Sequence, residues 1–332
     1  MKILLSTVAV AAAIPIAAQA ATLDAEAVAS GTVAIALDEF NAIGTAHTEG
    51  PAYVGGNLNS STAFYANSDS MPEVDIGGVT GGLIVGGDVN ADLQKTGQTP
   101  GSVEIGGSFN GNPNTGGYVV NEGVSGIPVQ DMKTTFEDVS TTASALSDTA
   151  GASFDTSLNF KSFTSGSGGG DNIAYLNLSF SDATDMFAGN QGQIGLDFDT
   201  SLDSFIINVA GTDFTGSNAI SASIFQNYKS ESEKVLFNFY EATDIVMDGN
   251  LNGSILAPGA AIDSPTGGMN GTLISLNINQ QGEIRPYDDQ RGFGGALLAT
   301  TTMAPVPLPA GGWLLLSAFG GLVGLRRRRN VS

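Results

Sequence analysis

Along this chain apolar residues alternate with polar ones in short runs, and paired glycines break the runs at recurring intervals. One phrase appears three times, as Tyr53-Val54-Gly55-Gly56-Asn57-Leu58-Asn59, Ile84-Val85-Gly86-Gly87-Asp88-Val89-Asn90 and Glu104-Ile105-Gly106-Gly107-Ser108-Phe109-Asn110. Degenerate copies stand at Ile76-Gly77-Gly78-Val79 and Met247-Asp248-Gly249-Asn250-Leu251-Asn252-Gly253. Each copy reads as a short strand, a glycine corner where positive φ or tight stacking is needed, and a second strand with alternating apolar residues. Gly86 and Gly106 are 20 residues apart, and Gly253 and Gly271 are 18 apart. Such periods are about one turn of a parallel β-helix, whose rungs bury their apolar rows only by stacking on neighbours. A β-sandwich is the structural alternative, although sandwich turns seldom need the same doublet each time.

One segment changes period. Met132, Phe136, Val139, Ala143 and Leu146 fall at steps of four, three, four and three with polar residues between them, a single apolar stripe of helical spacing. Pro128 precedes it, Asp131 suits its first turn and Gly151 follows it. A helix of roughly 18 to 20 residues with one apolar face must lie on something, and the flank of the β-helix is the available surface. The stripe is read as core packing, not as a cofactor site. Residues 163–171, with four glycines, read as a loop, and strand-like runs follow at 173–180, 193–198, 204–209 and 234–239. The last rungs are expected at 244–261 and 269–278.

The two ends carry addresses. Lys2, an apolar stretch from Ile3 to Ile16 and the small-x-small triplet Ala18-Gln19-Ala20 predict a signal peptide over 1–20, cut between Ala20 and Ala21. Near the other end, a Thr/Pro linker over 300–307 runs into Val306, Pro307, Leu308, Pro309 and Ala310. An uncharged run over 311–325 comes next, and then Arg326, Arg327, Arg328 and Arg329. Fifteen apolar residues fall short of the ~20 that span a bilayer comfortably, so the run is a short or transient span. The arginines should stay on the cytoplasmic side, which places everything before them outside the inner membrane. Residues 306–329 resemble the VPLPA variant of the PEP-CTERM sorting signal. That resemblance implies an exosortase-type transpeptidase as processing partner and a Gram-negative host that makes exopolysaccharide.

Composition narrows the partners. Between the two ends 7 basic residues face 33 acidic ones, a net charge of 7 − 33 = −26. Such a surface repels phosphate backbones and anionic headgroups, so nucleic acid is not an expected partner, and the membrane is met only through the tail. The charge also keeps an exported protein soluble. There is no cysteine, which excludes thiol catalysis and cysteine-zinc sites, and stability must come from burial and backbone hydrogen bonds. Glycine supplies 45 of 332 residues while hydrophobics remain at 42%. Disorder pairs glycine excess with few apolar residues, so a folded, turn-rich, mostly β protein is expected.

The body also resembles a known family. Phe40-Asn41, the segment from Glu49 to Leu58, the helix after Ile127-Pro128-Val129, Gly253-Ser254-Ile255-Leu256-Ala257-Pro258, Asn270-Gly271-Thr272-Leu273-Ile274 and Gly282-Glu283-Ile284 resemble the choice-of-anchor A domain over about residues 38 to 297. That family is similar to ice-binding-like adhesive domains, which implies a right-handed parallel β-helix with a long helix alongside. The expected class is therefore mainly β, a solenoid with one packed helix and a C-terminal transmembrane sorting helix. Its domains are 1–20, 21–299, 300–310 and 311–332. No catalytic residues accompany the resemblance. Ice binding typically needs a row of short threonine-bearing strands, and no Thr-x-Thr recurs at rung spacing.

Searches for chemistry return little. His47 is the single histidine, in an expected loop beside the first glycine corner, with no Gly-x-Ser-x-Gly and no His-Glu-x-x-His around it. It reads as a surface or hydrogen-bonding residue. No phosphate-binding glycine loop occurs, and no cofactor is expected. Asp197, Asp199 and Asp203 offer oxygen ligands to Ca²⁺, but alternating aspartates also describe the solvent face of a strand. The expectation is an exported, surface-sorted structural or adhesive protein without catalysis, meeting exopolysaccharide or another cell surface. A polysaccharide-acting enzyme with paired carboxylates and a calcium-dependent binding module are the alternatives.

Overall fold

A computed structural model describes residues 23–43, 47–66, 71–94, 101–114, 119–157, 161–188, 193–264, 266–288 and 291–298. The signal peptide with its Ala20/Ala21 junction, the linker, the motif from Val306 to Ala310, the apolar run 311–325 and the cluster from Arg326 to Arg329 lie outside the described residues. Among the described residues no helix is long and apolar enough to cross a membrane.

The strands stack in parallel, each turn of chain lying on another. Ten of them form one continuous ladder, in the order Val119–Glu122, Ser102–Ile105, Leu83–Val85, Ala52–Val54, Ala34–Ala36, 273–275, 255–257, Val235–Asn238, Ser204–Val209 and Ile173–Leu178. A second ladder runs through 89–90, 58–60, Phe40–Ala42, 278–280, 261–263, Asp244–Val246 and Asp213–Phe214. A third passes through His47–Thr48, Ile284–Arg285, Met269–Asn270, Leu251–Asn252, Ser223–Ile224 and Gln193–Asp197, and ends on an antiparallel pair, Ser153–Asp155 with Lys161–Thr164.

This order means the chain starts in the middle of its own stack. On the first turn, 34–48, the next four strands of the first ladder stack outward to Val119–Glu122 at one end. The chain then returns along the flank as a helix, and the later turns climb back from the other end until 273–285 meets the first turn. Across that seam Ala34 pairs with Leu273, Phe40 with Ile278 and Thr48 with Ile284. The helix α1 (Ala25–Gly31), capped by the Asp24 side chain on Ala27 N, leads into it.

Inward positions fill one core. Val54, Leu83, Val85, Val103, Ile105, Ile207, Phe237, Ile255 and Leu273 are all fully or almost fully buried. Where the turns are longest, phenylalanines fill the wider interior: Phe163, Phe187, Phe225 and Phe237 sit with ring centroids 5.7 to 6.1 Å apart. The separations of 18 and 20 residues seen in sequence hold for the tighter turns, while Asn177 to Asn208 spans 31. Inserted elements account for the extra chain, among them the hairpin 74–81 and a second helix.

The first ladder is apolar on both faces. Its outward residues Ile84, Tyr53, Ile35, Ile274, Leu256, Leu236, Ile206 and Tyr175 form a second core with α2 (Val129–Ser144), whose Met132, Phe136, Val139 and Ala143 are fully buried. At 1.5 Å per residue α2 is about 24 Å long, some five strand spacings. Past its start the outward positions turn polar, as Glu104 and Asn121, the Asn121 amide donating to Glu104 at 2.8 Å. The helix is shorter than the sequence suggested, because Leu146 packs against this core from a turn beyond it.

Three other expectations change. Ile76-Gly77-Gly78-Val79 is no rung corner but the turn of a separate antiparallel hairpin, with φ of 62° and 89° at its glycines. Residues 163–171 are not all loop, since Phe163 ends inside a strand with its ring in the core. The run 173–180 stops as a strand at Leu178, and α3 (Phe180–Phe187) starts there. Ser179 and Asp182 form its capping box, an S-x-x-D signal present in the sequence. A single turn, α4 (Lys229–Ser232), completes the α-helices among the described residues, beside a short 3-10 turn at Gly216–Asn218.

Candidate functional site

The described surface is organised by side-chain ladders more than by pockets. On the second face five turns set two polar residues two apart around one inward residue: Asn57-x-Asn59, Asp88-x-Asn90, Ser108-x-Asn110, Glu39-x-Asn41 and Asn277-x-Asn279. Strand periodicity puts both on the outer side, and the parallel register aligns them from turn to turn. The Asn110 amide donates to Asn90 (2.9 Å), Asn90 to Asn59 (3.0 Å), Asn59 to Asn41 (3.1 Å), Asn41 to Asn279 (3.1 Å) and Asn279 to the Asp263 carboxylate (2.9 Å). All donors point the same way and the row ends on a charge, which polarises it along its length. In the neighbouring row Asn57 Oδ1 accepts from Asp88 N, Asp88 Oδ1 from Ser108 N and Asn277 Oδ1 from Glu39 N.

The same device recurs under α2 with its spare capacity used. Asn238 donates to Asn208 (2.9 Å), Asn208 to Asn177 (3.0 Å) and Asn177 to the Asp148 carboxylate (2.7 Å). The second N–H of each amide goes to a carbonyl of the overlying segment, respectively Ser140, Ala143 and Leu146. The Ser140 hydroxyl in turn donates to Asn238 at 2.6 Å. These bonds clamp the end of α2 to the stack.

Asp197, Asp199 and Asp203 are all exposed, and the structure does not gather them. Asp199 is bound to its own turn, accepting from the Ser201 hydroxyl and backbone N–H, which hold its carboxyl below the usual range. His47 lies in the strand His47–Thr48 and not in a loop, half-buried at the seam. Among the described residues, one group of three potential metal ligands has its ligand atoms within 4.8 Å of one another: His47, Glu49 and Glu283. Arg285 stands in the same group. It pairs with Glu283, and its Nε lies 3.7 Å from Glu49 Oε1. A guanidinium already balances the two carboxylates, so the cluster is an ion-pair tie between first and last turns. Sequence reasoning missed this cluster because its members are more than 230 residues apart and meet only through the seam.

Two further features flank α2. Tyr53 is fully buried and its hydroxyl has no hydrogen-bond partner. Burial, with the Asp131 carboxylate nearby, pushes the phenol well above its ordinary range. An open cleft of about 360 Å³ at the first turn of α2 is lined by Leu23, Gly77, Ile127, Pro128 and Asp131, among others. At the end of the stack Glu122 occupies an inward register position over Ile105, where its carboxylate accepts from Phe109 N at 2.9 Å. A charge pointing inward on an edge strand opposes further stacking there.

The sequence model of a family described as "Putative Ice-binding-like adhesive domain" matches residues 25–286. No curated protein matches the chain. Among solved structures, a glycosylated ice-binding protein from an Arctic yeast is similar at 10% identity, over 80% of this chain and 94% of that one, with a TM-score of 0.32. A likeness of that size carries no weight here. The family match begins at the first residue of α1 and ends just past the strand Ile284–Arg285, so it takes in the whole stack and its flanking helix. The chain belongs to the ice-binding-like adhesive domain family.

Proposed function

We propose that this protein is a non-catalytic adhesive module, exported and displayed at the surface of a Gram-negative cell or in its exopolysaccharide matrix. Family membership over residues 25–286 is the observation that carries the reading. The long faces of regularly repeated polar side chains suit it, since they offer extended contact and no enclosed reaction site. The choice-of-anchor A resemblance, with its right-handed coil, belongs to the same proposal. So do the signal peptide and the tail, which give a route to the surface through signal peptidase and an exosortase-type enzyme.

Retention tests the reading. The full chain, kept soluble with mild detergent, is expected to bind the producing organism's exopolysaccharide without releasing fragments from it. Fragment release would favour a polysaccharide-acting enzyme, and retention lost in a chelator would favour a calcium-dependent module. The tail is tested separately by intact-mass measurement of surface material. A sorted chain is expected to lack Trp313 to Ser332, whereas a chain still ending at Ser332 would leave a plain membrane anchor.

A further inference from the structure

Resting on the adhesive reading, we infer that the asparagine face binds an extended, uncharged, hydroxyl-rich polysaccharide along the row Asn110, Asn90, Asn59, Asn41, Asn279. An amide carries two N–H donors and one oxygen with two lone pairs. The row uses one N–H and one lone pair of each interior member on its neighbours. Asn59 adds a long 3.4 Å contact from its amide to Glu39. Asn90 and Asn110 are exposed, and Asn41, Asn59 and Asn279 half-exposed. No described protein hydrogen bond takes up the remaining donors of Asn41, Asn90, Asn110 and Asn279.

The clamp beneath α2 shows what such donors do when something lies over them. There each spare N–H holds an oxygen of the overlying segment, turn by turn. On the second face no protein partner among the described residues takes the equivalent donors of Asn41, Asn90, Asn110 and Asn279, and the row repeats at the strand spacing of about 4.8 Å over roughly 19 Å. A matching ligand presents oxygen acceptors at a similar repeat. Hydroxyls and ring oxygens on successive sugars of an extended chain meet that need, and they can also donate to the Asp88 and Glu39 carboxylates beside the row. Because the ladder fixes every amide beforehand, little side-chain entropy is lost on binding.

Charge selects among acceptor-bearing polymers. The strand segments that form the face, 38–42, 57–60, 88–92, 108–112, 261–264 and 277–281, contain Asp38, Glu39, Asp88, Asp92 and Asp263 and no lysine or arginine. A uronate or sulfated chain would bring anions to a surface without a cation, while a neutral glycan meets no such repulsion. Among the described residues the one exposed large aliphatic side chain beside the row is Ile43, two residues beyond Asn41, whereas an interface with another protein would use a cluster of such side chains at its centre.

The probe is retention of the full chain, in mild detergent, on insoluble unsubstituted β-glucan and on alginate gel. Wild type is expected to bind the glucan and not the alginate. Asn90→Ala with Asn110→Ala should weaken glucan binding at least tenfold at an unchanged far-UV spectrum. Asn110→Ala alone, which loses one ladder bond at the exposed end, should weaken it less. Asn121→Ala, an exposed asparagine on the helix-bearing face, should bind as wild type does. Undiminished binding by the double variant, preference for alginate, or no retention on the glucan would each overturn the inference. Running the host's exopolysaccharide in parallel separates the two readings. Wild type held there but not by the glucan sinks this ligand class alone, and wild type held by neither sinks adhesion as well.

Discussion

Phe136→Asp is expected to abolish the cooperative thermal transition of this protein near room temperature, or to lower its midpoint by tens of degrees. Phe136 sits midway along α2 with its ring fully buried among the outward residues of the ten-stranded ladder. Losing the ring costs about 3 to 5 kcal/mol as a cavity, and an unpaired carboxylate in its place adds several kcal/mol more unless it takes up a proton. Natural domains hold only ~5 to 15 kcal/mol in total. Glu137, one residue on, is exposed, so Glu137→Ala should stay within about 0.5 kcal/mol of wild type. Melting curves for the pair check this, and similar midpoints would mean that α2 is not docked on the stack. An acid arm adds a sign: a buried carboxyl at position 136 has a raised pKa, so the variant should regain part of its stability as pH falls.

Much of this fold was legible because its strongest physical demands are local. Alternation fixed that Val89, Ala91 and Leu93 face inward, and the step of four and three marked the face of α2 that carries Met132, Phe136, Val139 and Ala143, whereas 83–85 and 204–209 are buried on both faces and show no alternation. The seam was not legible. Nothing near Ala34 indicates that its partner is Leu273, because parallel pairing is set by how whole turns nest and leaves no short-range mark. The ion-pair tie of His47, Glu49, Glu283 and Arg285 was hidden for the same reason. α3 was missed because the apolar run before it masked the capping box at Ser179 and Asp182. The asparagines of the repeat were in plain view within the second strand of each copy, but nothing local links one copy to the next. Only their in-register stacking shows that they form one hydrogen-bonded row.

The repeated glycine doublet had two possible reasons, positive φ or close stacking, and the structure separates them. Positive φ belongs to the hairpin pair Gly77 and Gly78 and is absent at Gly55, Gly86 and Gly106. Those three form a column at one corner of the coil. A β-carbon on Gly55 would lie 2.3 Å from Leu37 O, one on Gly86 2.2 Å from Gly55 O, and one on Gly106 2.3 Å from Gly86 O. The backbone is drawn together by Gly55 N–H to Ala36 O, Gly86 N–H to Val54 O and Gly106 N–H to Val85 O, at 2.7 to 2.8 Å. Gly86→Ala should therefore be among the most damaging single-atom additions in the chain. Its methyl meets a carbonyl that cannot rotate away, and it also lies 2.7 Å from Val129 Cγ2 at the start of α2. Overpacking costs about 1 to 3 kcal/mol where side chains can yield, and more is expected where the obstacle is backbone. Gly170→Ala is the matched control, since a β-carbon there finds nothing within 4 Å and its φ is ordinary. It should be neutral or stabilising by up to ~1 kcal/mol through the unfolded chain. Denaturant titration of the two variants measures the difference. Equal midpoints would show that the corner can open by about an ångström without cost, and the doublet would then need a reason other than the stacking of one turn on the next.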